Sequence, residues 1–225
     1  MIPFSDVARA AYCSRQLYYA RQDEDRSVPE EARSRINLAF RYAELVDAPD
    51  VRLRRLPIRP TPAAYRRHLD RLRERDVYEH LVDPAAERTF RSGRDCHGIV
   101  HKVLRPDESE DATDPPPIPV IVSPGEPPEQ GVWEPQSVRA VAAAKALAWE
   151  EAQTIPRAIV EYPTVGVVRE IRLGVRRVAT YRRALRAARS IDGPPARVDD
   201  NRCDGCSYRD RCGVRTRSLR SLLPG

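Results

Sequence analysis

The cysteines are the residues of this chain whose types and spacing most directly indicate chemistry. Two residues separate Cys203 from Cys206, and five separate Cys206 from Cys212. Thiolates at such spacing can reach one metal ion or cluster from a tight turn. Three local thiolates require a fourth ligand, and Cys13, near the other end of the chain, is the candidate. Cys96 lies in a segment with strand character and is left out of the set.

Several interpretations of these cysteines stay open from spacing alone. An odd number of cysteines, five, in a chain with no visible export signal disfavours a disulfide framework. A redox pair is a weaker alternative, because the usual strand–helix context is missing. A four-thiolate structural zinc site, cysteines without any metal, and an iron–sulfur cluster remain.

The charge balance indicates a polyanionic partner. The 225 residues include 39 Lys and Arg against 33 Asp and Glu, which gives a net charge of +6. Only Lys102 and Lys145 are lysines, so almost all of this charge is on arginine, whose planar donors suit phosphate. No apolar run approaches the roughly 18 residues that span a bilayer, so we expect no membrane partner and a cytoplasmic location.

Periodicity and turn residues predict the elements that must position these side chains. Helices are expected over 5–12, capped by Ser5, over 29–45, from Thr61-Pro62 onward, over 137–153, capped by Ser137, and over 175–191. Strands are expected over 87–92, 98–104, 118–122, 157–162 and 167–173, with an acidic, proline-rich loop over 106–117. The order predicts a mixed α/β fold. We divide it into an N-terminal helix over 1–28, a central domain over 29–195 and a cysteine segment over 196–225.

The ends of the chain resemble those of the CRISPR-associated RecB-like exonucleases, iron–sulfur members of the PD-(D/E)XK nuclease superfamily. The segments that carry the resemblance are Tyr12-Cys13-Ser14-Arg15-Gln16-Leu17-Tyr18-Tyr19 and the triplet Cys203, Cys206 and Cys212 after Arg202. The resemblance covers most of the chain. It implies a 4Fe–4S cluster on Cys13, Cys203, Cys206 and Cys212, a restriction-endonuclease-like mixed sheet flanked by helices, and a role in trimming DNA before its capture as spacers.

The nuclease motifs of this family are not preserved. The family needs G-x-x-D and then D/E-x-K on the next strand, so that two carboxylates hold a divalent ion and the lysine steadies the attacking water. By strand order, the G-x-x-D position ends in His101, while Ile121 and Ser123 replace the second carboxylate and the lysine. The glutamine–tyrosine motif falls near Arg139 and Ala143 and is missing, and Tyr42 takes the place of an upstream histidine. We therefore predict no catalytic residues and a nuclease-inactive, DNA-binding subunit of CRISPR adaptation.

Two alternatives remain. A rebuilt exonuclease site could use His101 with a carboxylate from Glu126, Glu129 or Glu134, and would then take Mn²⁺ or Mg²⁺. A zinc-stabilised structural or interaction protein is the second alternative. Asp95, His97 and His101 would lie on the same face of a regular strand and could together bind a metal ion. We favour structural roles for them instead, with both histidines half-buried.

Arginine-rich segments are the candidate DNA contacts. The helix over 175–191 has almost no acids, and we assign DNA binding to Arg176, Arg177, Arg182, Arg183 and Arg186. The basic helix after Thr61 is expected to be a solvated face instead, because acids alternate with its arginines. Tail arginines at 202, 209, 211, 215, 217 and 220 are expected to extend the basic surface. We expect the bound DNA to be single-stranded, with CRISPR adaptation proteins as further partners.

Overall fold

A computed structural model describes residues 1–107, 115–198 and 201–213 of the chain. Within these ranges the centre of the fold is a mixed six-stranded sheet. Its strands are β1 Ile2–Pro3, β2 Ala86–Ser92, β3 Cys96–Leu104, β4 Ile118–Val122, β5 Arg157–Tyr162 and β6 Val167–Arg172. Strands β2, β3 and β4 form an antiparallel meander, β5 lies parallel to β4, and β6 returns antiparallel to β5. The short β1 pairs in parallel with the start of β3.

Helices cover both faces of this open sheet. They are α1 Phe4–Tyr12, α2 Ser14–Ala20, α3 Glu30–Asn37, α4 Tyr42–Val46, α5 Asp50–Leu53, α6 Pro62–Arg73, α7 Tyr78–Val82, α8 Glu134–Glu150, α9 Val175–Arg189 and α10 Arg209–Cys212. Two 3₁₀ turns, Leu38–Phe40 and Asn201–Cys203, complete the described elements. The α/β class expected from the sequence is confirmed, as a mixed sheet with flanking helices.

The alternation of side chains along each strand creates two separate cores. On one face, α1, α8 and α9 pack on Val103, Ile121 and Val160. On the other face, the helices between residues 38 and 82 pack on Val120 and Ile159. Successive residues of one strand therefore point into different cores. The position of a polar residue along a central strand decides which of the two cores it faces.

Some local signals in the sequence give the expected structure. Thr61 caps α6, since its Oγ1 accepts a hydrogen bond from the Ala64 amide at 3.3 Å. Tyr65, Leu69 and Leu72 of that helix are buried, as the apolar spacing predicts. The strands over 118–122 and 157–162 begin and end at the predicted residues.

Other predicted elements differ. The single helix expected over 29–45 is divided into α3, a 3₁₀ turn and α4, with Arg41 leaving the helical conformation at φ −132°. Neither Ser5 nor Ser137 is a cap: α1 begins after Pro3 and α8 after Trp133, each without a side-chain hydrogen bond. Helical spacing places Trp149 on the same face as Val138, Ala142 and Ala146, which predicts an inward position, but the residue is 61% exposed. The short helix α2, directly after Cys13, was not predicted.

Gly98 is required by packing. A Cβ added at this position would come within 2.6 Å of the Phe4 ring, and the backbone has φ +156°. Phe4 begins α1 and is 1% exposed. The glycine that matches the first position of the G-x-x-D motif therefore lets α1 approach the sheet.

No helix in the described ranges is long and apolar enough to cross a membrane. Most of the predicted loop over 106–117, and the tail arginines 215, 217 and 220, lie outside the described residues.

Candidate cofactor and nucleic-acid sites

The four cysteines predicted to act together line one small cavity where the two ends of the chain meet. Cys13 is the residue between α1 and α2, in an extended conformation with φ −163° and ψ 118°. Cys203 ends a 3₁₀ turn and Cys212 ends α10, with Cys206 between them. Each of the four is half-buried. The fold thus brings together residues from opposite ends of the sequence, as the spacing alone could only suggest.

Short-range backbone hydrogen bonds shape the C-terminal part of this cavity. The Cys206 amide donates to the Cys203 carbonyl at 3.3 Å, which closes the tight turn between these residues. The Cys212 amide donates to the Tyr208 carbonyl at 2.8 Å, and Gly213 then ends α10 in the left-handed region at φ +69°. These turns face three sulfur-bearing side chains toward the segment that holds Cys13.

Reciprocal hydrogen bonds join the two ends of the chain beside the cysteines. The Tyr12 hydroxyl donates to the Arg202 carbonyl at 2.8 Å, and the Arg202 guanidinium donates to the Tyr12 carbonyl at 2.6 Å. These partners are 190 positions apart in sequence. Such a closed pair fixes the register between the N-terminal helices and the cysteine segment.

Aromatic and ionic contacts strengthen this junction. The rings of Tyr19 and Tyr208 stack, with centroids 6.0 Å apart and planes inclined by 20°. The Tyr208 hydroxyl donates to Asp23, and the Arg211 guanidinium binds the same carboxylate at 3.1 Å. Tyr208 thus holds the N-terminal helices and the cysteine segment together.

Hydrogen-bond donors and positive charge lie close to the sulfur atoms. The Gln16 amide nitrogen lies 3.8 Å from Cys206 Sγ, and the Arg15 guanidinium contacts Cys212. Arg15 and Arg209 both line the cavity. Donors and positive charge around thiolates stabilise iron–sulfur clusters. The Cys203 thiol donates to the Val198 carbonyl at 3.2 Å, a proton that metal ligation would displace.

The sulfur atoms do not form a ready-made metal site. Within the described ranges, no three or more His, Cys, Asp or Glu side chains converge closely enough to hold one ion. A tetrahedral zinc site requires each sulfur to lie about 2.3 Å from one common point. The four cysteines line a cavity of only about 20 Å³, so its size does not distinguish a cluster from a single ion.

Cys96 is separate from this set, as predicted. It is 1% exposed on β3, and its sulfur lies 3.3 Å from the Tyr181 hydroxyl and 3.6 Å from the Ala142 carbonyl. Burial raises the pKa of its thiol. A protonated, enclosed thiol of this kind has a packing role.

The positions that the resemblance assigns to nuclease chemistry lie together on one face of the sheet, and they are closed. His101 is 7% exposed, Ile121 is 0% exposed and Ser123 is 3% exposed. The Val122 amide donates to His101 Nδ1 at 3.2 Å, so one ring nitrogen is already used. Burial, followed by the charges of Arg139, Arg88 and Lys102, holds the pKa of His101 well below its ordinary value.

The other acidic candidates for a metal site have different partners. Asp95 binds Arg189 at 2.7 Å, and the His97 ring packs against Phe90 with centroids 5.6 Å apart. Glu126 pairs with Arg59 at 3.4 Å, on the exposed loop before α8. Glu134 lies 3.9 Å from Arg183. None of these contacts directs a carboxylate toward His101.

The opposite face of the sheet holds a buried ion pair that the sequence reasoning missed. Lys102 Nζ lies 3.2 Å from Glu161 Oε1, and both side chains are 0% exposed. Nζ also donates to the Ala39 carbonyl at 2.6 Å and to the Leu81 carbonyl at 2.8 Å. Burial raises the pKa of Glu161. The sequence did contain a signal for this pair. Lys102 is one of only two lysines in a chain dominated by arginine, and it lies within an apolar strand.

The predicted DNA-binding arginines are all exposed on α9. Arg182 and Arg186 are one helical turn apart, and Arg176 and Arg183 are two turns apart, so each pair lies on one side of the helix. Apart from the 3.9 Å contact between Arg183 and Glu134, the described residues offer these arginines no acidic partner. Arg177 donates to the Arg172 carbonyl at 3.3 Å, near the start of the helix.

The tail arginines that are described have structural partners instead. Arg202 holds Tyr12, Arg209 pairs with Asp204 at 3.4 Å, and Arg211 pairs with Asp23. These contacts keep the cysteine segment in place, so this part of the expected basic surface is largely neutralised.

The comparisons with known proteins do not assign a family. No protein-family model matches the chain, and none of the curated proteins is significantly similar to it. Functional inference therefore depends on these residues and their geometry.

Proposed function

We propose that this chain is a DNA-binding, nuclease-inactive member of the CRISPR-associated RecB-like exonuclease family, stabilised by a 4Fe–4S cluster. The observation that carries the proposal is the pairing of a cavity lined by Cys13, Cys203, Cys206 and Cys212 with a closed sheet face. The four cysteines are the ligands that the resemblance implies for the cluster. The closed sheet face lacks the carboxylates and the lysine that the resemblance implies for catalysis.

The sheet supports the PD-(D/E)XK part of the proposal. The meander of β2, β3 and β4, the helix α8 and the parallel β5 follow in the order used to align the nuclease motifs. In that alignment the first motif ends on β3 and the second lies on the neighbouring β4. His101, Ile121 and Ser123 do share one face, where catalytic residues would have to meet.

Loss of catalysis follows from the chemistry of these residues. Isoleucine and serine provide neither a carboxylate for a divalent ion nor an ammonium group for a water molecule. The buried imidazole of His101 already accepts the Val122 amide. A substrate phosphate would also have to displace well-packed side chains to reach this face.

The cluster proposal follows from the donor set at the junction. Cys13, Cys203, Cys206 and Cys212 would hold it, and the cofactor would supply a rigid covalent link between the two ends of the chain. Arg15 and Gln16 would offset the charge at the sulfur atoms. A zinc-stabilised structural or interaction protein is the second candidate, ranked lower because the resemblance carried by Cys13, Cys203, Cys206 and Cys212 implies an iron–sulfur cluster.

DNA binding follows from the charge on α9. Its exposed arginines project from a helix that contains no acidic residue. Neutralising phosphates with such residues gives affinity that falls steeply with salt. Single-stranded DNA and proteins of CRISPR adaptation are the proposed partners, in line with the resemblance.

The decisive experiment uses full-length protein purified without oxygen, analysed for iron and acid-labile sulfide. Labelled single-stranded DNA is incubated with it in Mg²⁺ or Mn²⁺, and both binding and cleavage are measured. We expect iron and sulfide in the protein and binding without cleavage. Metal-dependent degradation that His101→Ala abolishes would establish the rebuilt exonuclease site instead.

A matched pair of variants tests the DNA surface. Arg183→Gln/Arg186→Gln removes two charges from α9, while Arg67→Gln/Arg71→Gln removes two exposed charges from α6. We expect the α9 variant to bind more weakly and to reduce the salt dependence of log K by about 1 to 2. The α6 variant should match the unmodified protein. Equal losses in both variants would show that net charge alone attracts DNA.

A further inference from the structure

An open groove of about 680 Å³ lies between α8, α9 and the turn that joins β2 to β3, and His101, Ile121 and Ser123 are not among its lining residues. Its floor is formed by small and apolar residues, including Ala144, Ala148 and Leu185. Its rim carries Trp149 and three cations, Arg94, Lys145 and Arg182. The groove therefore combines an aromatic surface with positive charge.

Trp149 is the first sign of an external partner. The ring lies in the last turn of α8 and is 61% exposed, although the apolar residues around it predicted an inward position. An exposed indole leaves a large apolar face in water, which stacking against a planar ligand would cover. Lys145 precedes Trp149 by one helical turn, so both lie on the same side of α8.

The charge of the groove is the second sign. Arg94, Lys145 and Arg182 are exposed, and within the described ranges none of them has an ion-pair partner. The neighbouring acids already have partners, as follows: Asp95 with Arg189 at 2.7 Å, Glu150 with Arg91 at 2.9 Å, and Glu151 with Arg105 at 3.0 Å. Three unneutralised cations therefore face a groove whose nearby carboxylates are paired.

We propose that this groove binds an unpaired nucleotide of single-stranded DNA, with its base on the Trp149 indole and its phosphates at Lys145, Arg94 and Arg182. Base stacking and phosphate neutralisation are the two interactions by which proteins hold single strands. A duplex keeps its base faces covered by stacking, and an acidic peptide offers charge without a planar ring. The inference rests on the proposed DNA binding and locates a nucleotide-binding site for it in this groove.

The two tryptophans of the chain allow a direct test, because they lie at opposite ends of α8. Trp133 is 53% exposed, and its indole nitrogen donates to the Glu126 carbonyl at 2.8 Å. The Trp133→Phe variant therefore reports fluorescence from Trp149 alone. Titration with oligothymidine should quench this fluorescence to saturation, and Trp149→Phe, which retains Trp133, should show little change.

Affinity is measured independently by fluorescence anisotropy of labelled oligothymidine. Trp149→Ala should weaken binding roughly tenfold, which corresponds to the loss of one stacked base. Trp133→Ala is the matched control and should leave the affinity unchanged. Circular dichroism should be the same for both variants, since both rings are exposed.

The outcomes separate this inference from the proposed function. If oligothymidine binds, but Trp149→Ala keeps full affinity and Trp149 is not quenched, the groove proposal is overturned while DNA binding stands. If no single-stranded DNA binds, DNA binding itself fails and the groove fails with it. Equal quenching by polyglutamate, by duplex DNA or by thymidine monophosphate would assign the groove to another partner and overturn the proposal.

Discussion

Two regions of this molecule contain several residues capable of chemistry, but the side chains are accessible in one region and enclosed in the other. At the junction of the chain ends, four half-buried cysteines face a shared cavity with Arg15 and Gln16 beside them. In the sheet, His101, Lys102 and Glu161 are enclosed and bound to protein partners. Reactive residue types therefore do not by themselves mark a site. What distinguishes the junction is that its sulfur atoms still face a space.

The largest expected effect comes from removing one cysteine of the junction. Cys203→Ser should abolish the proposed cluster and with it the crosslink between the chain ends, which costs about 5 kcal/mol if the link acts like a long-loop disulfide. We expect iron content to fall to background and the melting temperature to drop by about 10 °C or more.

Cys96→Ser is the control for that variant. It changes a buried thiol outside the junction and should lower stability without any loss of iron. Unchanged iron and unchanged stability in Cys203→Ser would remove the distinction between the two regions.

The next effect tests the enclosed ion pair of the sheet. Lys102→Met leaves the buried Glu161 carboxylate without its cation, which should destabilise the fold by about 3–5 kcal/mol. Lys102→Met/Glu161→Leu should recover much of this loss, because it removes both charges. Denaturant unfolding of the three proteins measures it. A single variant as stable as the parent would show that the pair is energetically unimportant.

The pH dependence of that variant has a definite sign. Burial already raises the pKa of Glu161, and loss of Lys102 raises it further. A raised carboxyl pKa in the folded state favours folding only while the group is protonated, so the penalty grows as pH rises above the unfolded value of about 4.3. The defect of Lys102→Met should thus be smaller at pH 5 than at pH 8.

A moderate effect is expected from the buried imidazole of His101. The pKa of His101 is held below its ordinary value, so the folded protein favours the neutral ring, and its stabilisation is lost as pH falls below about 6.5. The loss should grow steadily as the pH is lowered from 7 to 5.5. His101→Asn, whose side-chain oxygen can accept the Val122 amide, should lack this component. An identical pH profile in both proteins would indicate an open, solvated imidazole.

The smallest effect tests whether protein contacts hold the junction without help. A double-mutant cycle of Tyr19→Leu and Tyr208→Leu should give a coupling energy of about 1 kcal/mol for the stacked rings. The cycle is measured with and without removal of metal by a chelator. Coupling that survives chelation means that the chain ends associate on their own. Coupling that vanishes means that the cofactor positions the rings.

Some of this structure could be predicted from sequence because its causes are local. The cap at Thr61 and the strands over 118–122 and 157–162 depend on neighbouring residues, and they are where the patterns place them. The broken helix over 29–45 does not follow from propensity. Its segments bend so that Leu38, Tyr42 and Leu45 can all pack on one sheet face.

The sequence by itself determined which residues can do chemistry, namely the spaced cysteines and the arginines of α9. Only the tertiary structure decided which of these residues meet and which can be reached. It exposes Trp149 beside three unpaired cations and buries Lys102 against Glu161. The physical reason is that spacing acts within one turn or strand, whereas burial and charge pairing depend on contacts between segments far apart in the chain.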